Sequence, residues 1–159
     1  MHPDGTGEEH LGYGGTELGE DYRPTPSTDG REVADGSFRS PCGVTDCGRV
    51  LDIAAGVERI LVSGSNAAWS PTSDVIAYAS RTGVGLIHAD GTGQQLLAAD
   101  VRDVGWMDWS PDGRWLLVSP GVGPVILFDT TNGMRLPLAT FAAYGATAWR
   151  QDVTLANAH

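Results

Sequence analysis

Asp108-Trp109-Ser110-Pro111-Asp112-Gly113-Arg114-Trp115-Leu116-Leu117-Val118 is the stretch on which the fold turns. A tryptophan stands before a Ser-Pro-Asp-Gly tight turn, and an apolar run follows it. Proline presets φ for such a turn, and aspartate and glycine supply its remaining conformations. The pattern repeats: Trp69, Trp109 and Trp149 stand 40 residues apart. Ala68-Trp69-Ser70-Pro71 precedes Asp74 and Val75-Ile76-Ala77-Tyr78, and Ala148-Trp149-Arg150 opens the unit again. Behind each tryptophan unit comes a second hairpin. Gly85-Leu86-Ile87-His88 reads as a strand, Asp90-Gly91-Thr92-Gly93 as its turn and Gln95-Leu96-Leu97 as the partner. One period later the same roles fall to Val125-Ile126-Leu127-Phe128, to Thr131-Asn132-Gly133, and to Met134 through Leu138. Asp-Gly and Asn-Gly pairs suit these corners because tight hairpins need positive φ.

Four short strands in every ~40 residues is the arithmetic of a β-propeller blade. Fainter copies lie upstream. Arg49 to Ile53, Ala55-Gly56 and Arg59 to Val62 match the rear half of a blade. Ser27-Thr28-Asp29-Gly30-Arg31 matches the turn at residues 110–114, with Pro26 in the tryptophan's place. His2-Pro3-Asp4-Gly5-Thr6-Gly7 nearly repeats residues 88–93. The expected organisation is a half-blade hairpin over 1–11, then an acidic, glycine-rich loop and degenerate blade start over 12–48. The rear half of the first blade follows over 49–65, with blades over 66–105 and 106–146 and the start of another over 147–159. Within 12–48, Gly12 to Asp21 reads as an exposed loop, since it is rich in glycine and acid and poor in apolar residues.

The Trp-Ser-Pro-Asp-Gly-Arg unit, an apolar strand, and a later strand ending in Asp-Gly-Thr-Gly together resemble the TolB-type, WD-like propeller repeat. The resemblance covers residues 66–150 well and 26–65 loosely. It implies an all-β fold of four-stranded antiparallel blades, incomplete or four-bladed, because the family usually has six or seven. It is nearly silent on function. Proteins with such repeats include periplasmic translocation factors, lipoproteins and the propeller domains of prolyl-peptidase-like enzymes. A periplasmic or extracellular home is therefore implied, although Met1 to Gly7 carries no basic or apolar signal region.

Continuously apolar strands such as Val125 to Phe128 are expected where both faces of a blade are covered. Trp69, Trp109 and Trp149 then fill the space between adjacent sheets, each able to bury ~150–250 Å². A propeller protects its edges when its ring closes. Three accounts of closure stand: a truncated or misassigned reading frame, which is preferred; a four-bladed ring sealed by both termini; and self-association through open blade edges.

Charge narrows the partners. The formal net charge is −10, with ten arginines and no lysine. Twelve acids and four arginines fall within residues 1–58. Such a chain repels phosphate backbones and anionic lipid, so nucleic acid is not expected. No apolar run reaches the ~20 residues of a membrane-spanning helix.

Candidate chemistry is sparse. Cys42 and Cys47 enclose four residues, a spacing open to a local disulfide, to free thiols or, with further ligands, to a metal. His2, His10, His88 and His159 show no ligand spacing. Asp100, Asp103 and Asp108 cluster between two blades, where paired carboxylates can bind calcium or do acid–base work. Their ordinary role is solvation. Gly121-Val122-Gly123-Pro124 precedes a strand rather than a helix and so is no phosphate loop. Ser63 sits in no nucleophile elbow. The sequence therefore carries no catalytic constellation, cofactor motif or metal set. The expected function is a non-catalytic module engaging a protein or peptide. The alternative is the propeller piece of a prolyl-peptidase-like hydrolase.

Overall fold

The computed structural model describes residues 20–38, 42, 46–64 and 66–138. Among these residues every regular element is a strand: β1 (Glu20–Pro26), β2 (Glu32–Phe38), β3 (Cys47–Asp52), β4 (Val57–Ser63), β5 (Asn66–Trp69), β6 (Val75–Ser80), β7 (Gly83–His88), β8 (Gln95–Ala98), β9 (Val104–Trp109), β10 (Trp115–Pro120), β11 (Ile126–Asp129) and β12 (Arg135–Pro137). They form three four-stranded sheets, each an antiparallel meander in chain order. These sheets are blade 1 (β1–β4), blade 2 (β5–β8) and blade 3 (β9–β12). β1 packs beside β5, and β5 beside β9, so the first strand of each blade is its innermost. Among the described residues the array is open, not closed into a ring.

Side-chain alternation explains why the blade 2 strands read as unbroken apolar runs. Ala67, Trp69, Ile76, Tyr78 and Ile87 face blade 1, where they meet Ala34, Val50 and Val62. Ala68, Ala77, Ala79, Val84 and Leu86 face blade 3 and meet Met107, Trp109, Leu116, Val118 and Phe128. A sheet covered on both faces has no solvent side to mark with polar residues. Trp69 and Trp109 are 5% and 6% exposed, each in a different inter-blade core. Trp149 and the segments 1–11 and 147–159 lie outside the described residues, as do His2, His10 and His159.

The corner after each inner strand is built alike. The Ser27, Ser70 and Ser110 N–H groups donate to the carbonyls of Glu32, Val75 and Trp115, each at 2.8 Å. All three serines are buried. In blades 1 and 3 the serine hydroxyl also donates to Asp29 or Asp112 and accepts from the N–H of Glu32 or Trp115. Gly30 and Gly113 close these turns at φ +71° and +69°, where a side chain would strain the backbone. Pro26 thus ends its strand where Trp69 and Trp109 end theirs.

One sequence expectation changes. Glu20 and Asp21, read as loop, open β1, where they pair with Phe38 and Ser37 of β2. Ladder hydrogen bonds to a neighbouring strand outweigh poor intrinsic strand preference. Blade 1 is thereby a full four-stranded sheet. Its face turned away from blade 2 is also less watery than the polar residues there suggest. Arg49, with a side chain 3% exposed, forks onto Asp35 at 2.7 and 2.9 Å and reaches Glu58 at 2.7 Å.

Inner strands lie at sheet edges, where unpaired backbone groups invite misassembly. Here side chains of the neighbouring blade occupy them. The Trp109 indole donates to the Ala68 carbonyl (2.9 Å), the Asn66 amide to the Val104 carbonyl (2.6 Å), and the Trp69 N–H to the Thr25 hydroxyl (2.9 Å).

Candidate functional site

The loops joining β6 to β7 and β8 to β9, with the ends of β3 and β4, gather at one end of the array. Between them lies a cavity of about 840 Å³. Blade 1 contributes Asp46 and Ser63, blade 2 contributes Tyr78, Ser80, Arg81, Thr82 and Gln94, and Arg102 and Asp103 lead into blade 3.

Local structure sets each donor. Tyr78 is 3% exposed, yet its hydroxyl reaches this end and accepts from the Gln94 amide at 2.9 Å. It can do so because residue 85 is glycine. A Cβ there would come within 2.5 Å of the Tyr78 Oη and 2.6 Å of the Gln95 carbonyl. Ser80 Oγ lies 2.8 Å from Thr82 Oγ1 and accepts from the Thr82 N–H, which tightens the turn carrying Arg81. Asp103 holds φ +50°, uncommon outside glycine, while its carbonyl accepts from Gly121 N–H at 2.7 Å. That kink turns the chain sharply beside Arg102.

Arg81 and Arg102 are exposed. Among the described residues Arg31, Arg49, Arg59, Arg114 and Arg135 are in ion pairs, whereas Arg23, Arg81 and Arg102 are in none, and of these three only Arg81 and Arg102 line the cavity. Asp46 and Asp103 share the cavity wall, so its charge is mixed rather than purely cationic. Among the described residues the lining offers guanidinium, hydroxyl and amide groups and contains no histidine or cysteine. It is equipped to hydrogen-bond a polar ligand, with two forks that match carboxylates.

A second cavity of about 770 Å³ opens at the opposite end, between the turns of blades 1 and 2. Of its two arginines, Arg59 pairs with Glu32 at 2.6 Å and donates to the Ala89 carbonyl, and Arg31 pairs with Asp29 at 3.5 Å. His88 and Asp90 also line it. Two hydrogen bonds from Thr92 hold the Asp90 carboxyl below its ordinary range.

The residues singled out from sequence are dispersed. Cys42 and Cys47 are joined by a disulfide, with Cα atoms 5.5 Å apart, at the head of β3. Asp100 is paired with Arg135 at 2.7 Å, Asp103 lines the cavity, and Asp108 lies on β9. No group of three or more His, Cys, Asp or Glu residues positioned to hold a metal occurs among the described residues. No helix among them is long and apolar enough to cross a membrane. Arg81, Arg102, Tyr78 and Gln94 were not singled out from sequence. Arg81, Gln94 and Arg102 sit in loops whose composition differs between blades, so the repeat carried no signal for them, and Tyr78 lies within β6, where it read only as part of the repeated apolar run.

Three four-stranded blades in an open array are part of a β-propeller. No protein-family model matches the chain, and no curated protein matches it. Solved structures do match, and the fold they share is TolB-like. TolB from Acinetobacter baumannii is 17% identical with a TM-score of 0.60, over 76% of this chain and 32% of that one. The β-propeller domain of the Trilobed protease from Pyrococcus furiosus, described as having an open velcro topology, is 14% identical at TM-score 0.58, over 84% and 47%. Oligogalacturonate lyase from Vibrio parahaemolyticus is 11% identical at TM-score 0.54, over 75% and 41%. At such identities the likeness shows the fold alone. The chain spans between 32% and 47% of the length of these three structures.

Proposed function

We propose that this propeller is a non-catalytic binding module that engages a protein or peptide partner at the end carrying Arg81 and Arg102. The observation that supports it is the cavity there: polar and wide, with two guanidinium groups in no ion pair and a buried tyrosine whose hydroxyl reaches its wall. Hydroxyls and a side-chain amide beside paired forks suit a peptide segment bearing a carboxylate. The mixed charge of Asp46 and Asp103 favours a specific polar match over adhesion to any polyanion.

Displayed peptides selected on the wild-type chain, then titrated calorimetrically against it and against the Arg81→Glu/Arg102→Glu variant, test this reading. Affinity is expected to fall at least ~10-fold in the variant, as when like charges are set against a ligand. Equal affinity for both proteins would place the binding surface elsewhere.

A second reading draws on the likeness to a protease's propeller domain. The blades would then serve a separate catalytic domain. A serine-hydrolase domain encoded in frame with this chain would favour it, and further repeats alone would favour the first.

A further inference from the structure

We propose that the loop joining β10 to β11 extends the arginine cavity with an apolar pocket, and that the two together receive the C-terminal residue of a partner chain. Its carboxylate meets Arg102, and its aliphatic or aromatic side chain lies against Val122. The inference rests on the reading of that cavity as a peptide site and names the part of the peptide it takes. Its basis is a third cavity, of about 270 Å³. Val101, Pro120, Val122, Pro124 and Ile126 supply its apolar lining. Arg102 and Asp103 line this cavity and the larger one alike, so the two share a wall.

The stretch Pro120-Gly121-Val122-Gly123-Pro124 presents a valine that belongs to neither inter-blade core and is 92% exposed. One exposed valine is ordinary on a protein surface. This one differs in that the loop around it is held in place. A proline fixes φ on either side of it. Gly123 turns the chain at φ +109°, and the Gly121 N–H donates to the Asp103 carbonyl at 2.7 Å. That bond ties the loop to the segment carrying Arg102. Val101, one residue earlier, is buried in the core between blades 2 and 3 and anchors the same segment. Backbone contacts therefore fix the apolar pocket relative to the guanidinium, and a ligand spanning both meets a prearranged surface.

Size and charge name the occupant. At about 270 Å³ the pocket falls below the ~300–1,000 Å³ of cavities that hold whole small ligands, and it suits a single side chain. Asp100, at its margin, is occupied by Arg135. Among the described residues neither Arg102 nor Asp103 is in an ion pair. The Arg102 fork calls for a carboxylate adjoining the apolar side chain. In an extended peptide neighbouring side chains point to opposite faces. An internal acid and the apolar residue next to it therefore do not meet one wall together. A C-terminal residue carries both groups on one Cα. Asp103 offers an acceptor for that residue's N–H and sets a charge against a second acid.

Arrays of short synthetic peptides, random except for a last residue set to each amino acid in turn, test this on the full chain. Each is made as the free acid and as the carboxamide, and the best binders are titrated by fluorescence polarisation. Free acids ending in Leu, Ile, Val, Met or Phe are expected to dominate. Each should lose at least ~10-fold in affinity as the carboxamide, or when its last residue becomes serine. Because Val122 is exposed, Val122→Asp should melt with the wild type while binding these peptides at least ~10-fold more weakly. Unchanged affinity in that variant overturns the inference. So does binding that ignores amidation or the last residue yet still falls in Arg81→Glu/Arg102→Glu, and that result leaves the wider reading standing. Affinity indifferent to the double arginine variant, or no binder in the arrays, overturns both.

Discussion

Trp69 and Trp109 occupy equivalent positions but direct their indole N–H groups differently. Trp109 donates across the seam to Ala68, whereas Trp69 donates within its own corner to the Ser73 carbonyl at 3.2 Å. Trp109 therefore supplies both core area and a buried inter-blade hydrogen bond. Trp109→Ala should destabilise the fold by ~3–5 kcal/mol in a denaturant melt. A loss below ~1 kcal/mol would remove the residue from the core. Asp129 carries a different load. Fully buried at the end of β11, it accepts hydrogen bonds from Arg114 and from the Thr131 hydroxyl and N–H, and these hold its carboxyl at about 2. Because the folded value lies below the unfolded one, this stabilisation is complete above about pH 4 and fades as pH falls toward 2. Melts of wild type and Asp129→Asn should converge across that window. Parallel acid profiles would show that Asp129 is not the titrating group.

At the scale of the element, turns were the most legible feature. Asp29-Gly30 and Asp112-Gly113 announced two corners after inner strands, and the shared serine bonding pattern is the physical reason those letters recur. Strand β1 was less legible, because its pairing comes from β2 and leaves little mark in Glu20-Asp21-Tyr22 itself. The Asp35–Arg49–Glu58 cluster left no mark at all. Charged letters in a strand read as solvent-facing, and only the fold makes them buried partners. The binding cavity was invisible for a related reason: Arg81 and Arg102 lie far apart in sequence and in loops that do not repeat. The cystine between Cys42 and Cys47 closes a very short loop, so loop entropy allows it at most ~2 kcal/mol. Purified under air, the chain should be two mass units lighter than its reduced form, and reductant should lower the melt only slightly. A collapse of the melt on reduction would mean the bond organises all of blade 1.

Across the whole molecule, blade 2 is the slab that separates the two cores. One core lies on each of its faces. Ile76 belongs to the first and Leu116 to the second, separated by the thickness of a sheet, and each truncation to alanine should destabilise by ~2–5 kcal/mol. The double variant should lose their sum to within ~0.5 kcal/mol, as independent sites do. A larger shortfall or excess in paired denaturant melts would show that blade 2 deforms and transmits strain between its neighbours.

The acceptor in the seam between blades 2 and 3 is a main-chain carbonyl, an atom every amino acid carries. Mutation at that position can therefore change the side chain without removing the joint. At the seam between blades 1 and 2 the residue at the same address, Thr25, joins through its side-chain hydroxyl instead, so this freedom belongs to the seam between blades 2 and 3. Blades joined through a backbone acceptor are free to drift apart in sequence while remaining stacked, so lineages of such proteins can diverge at that seam and still keep a common shape.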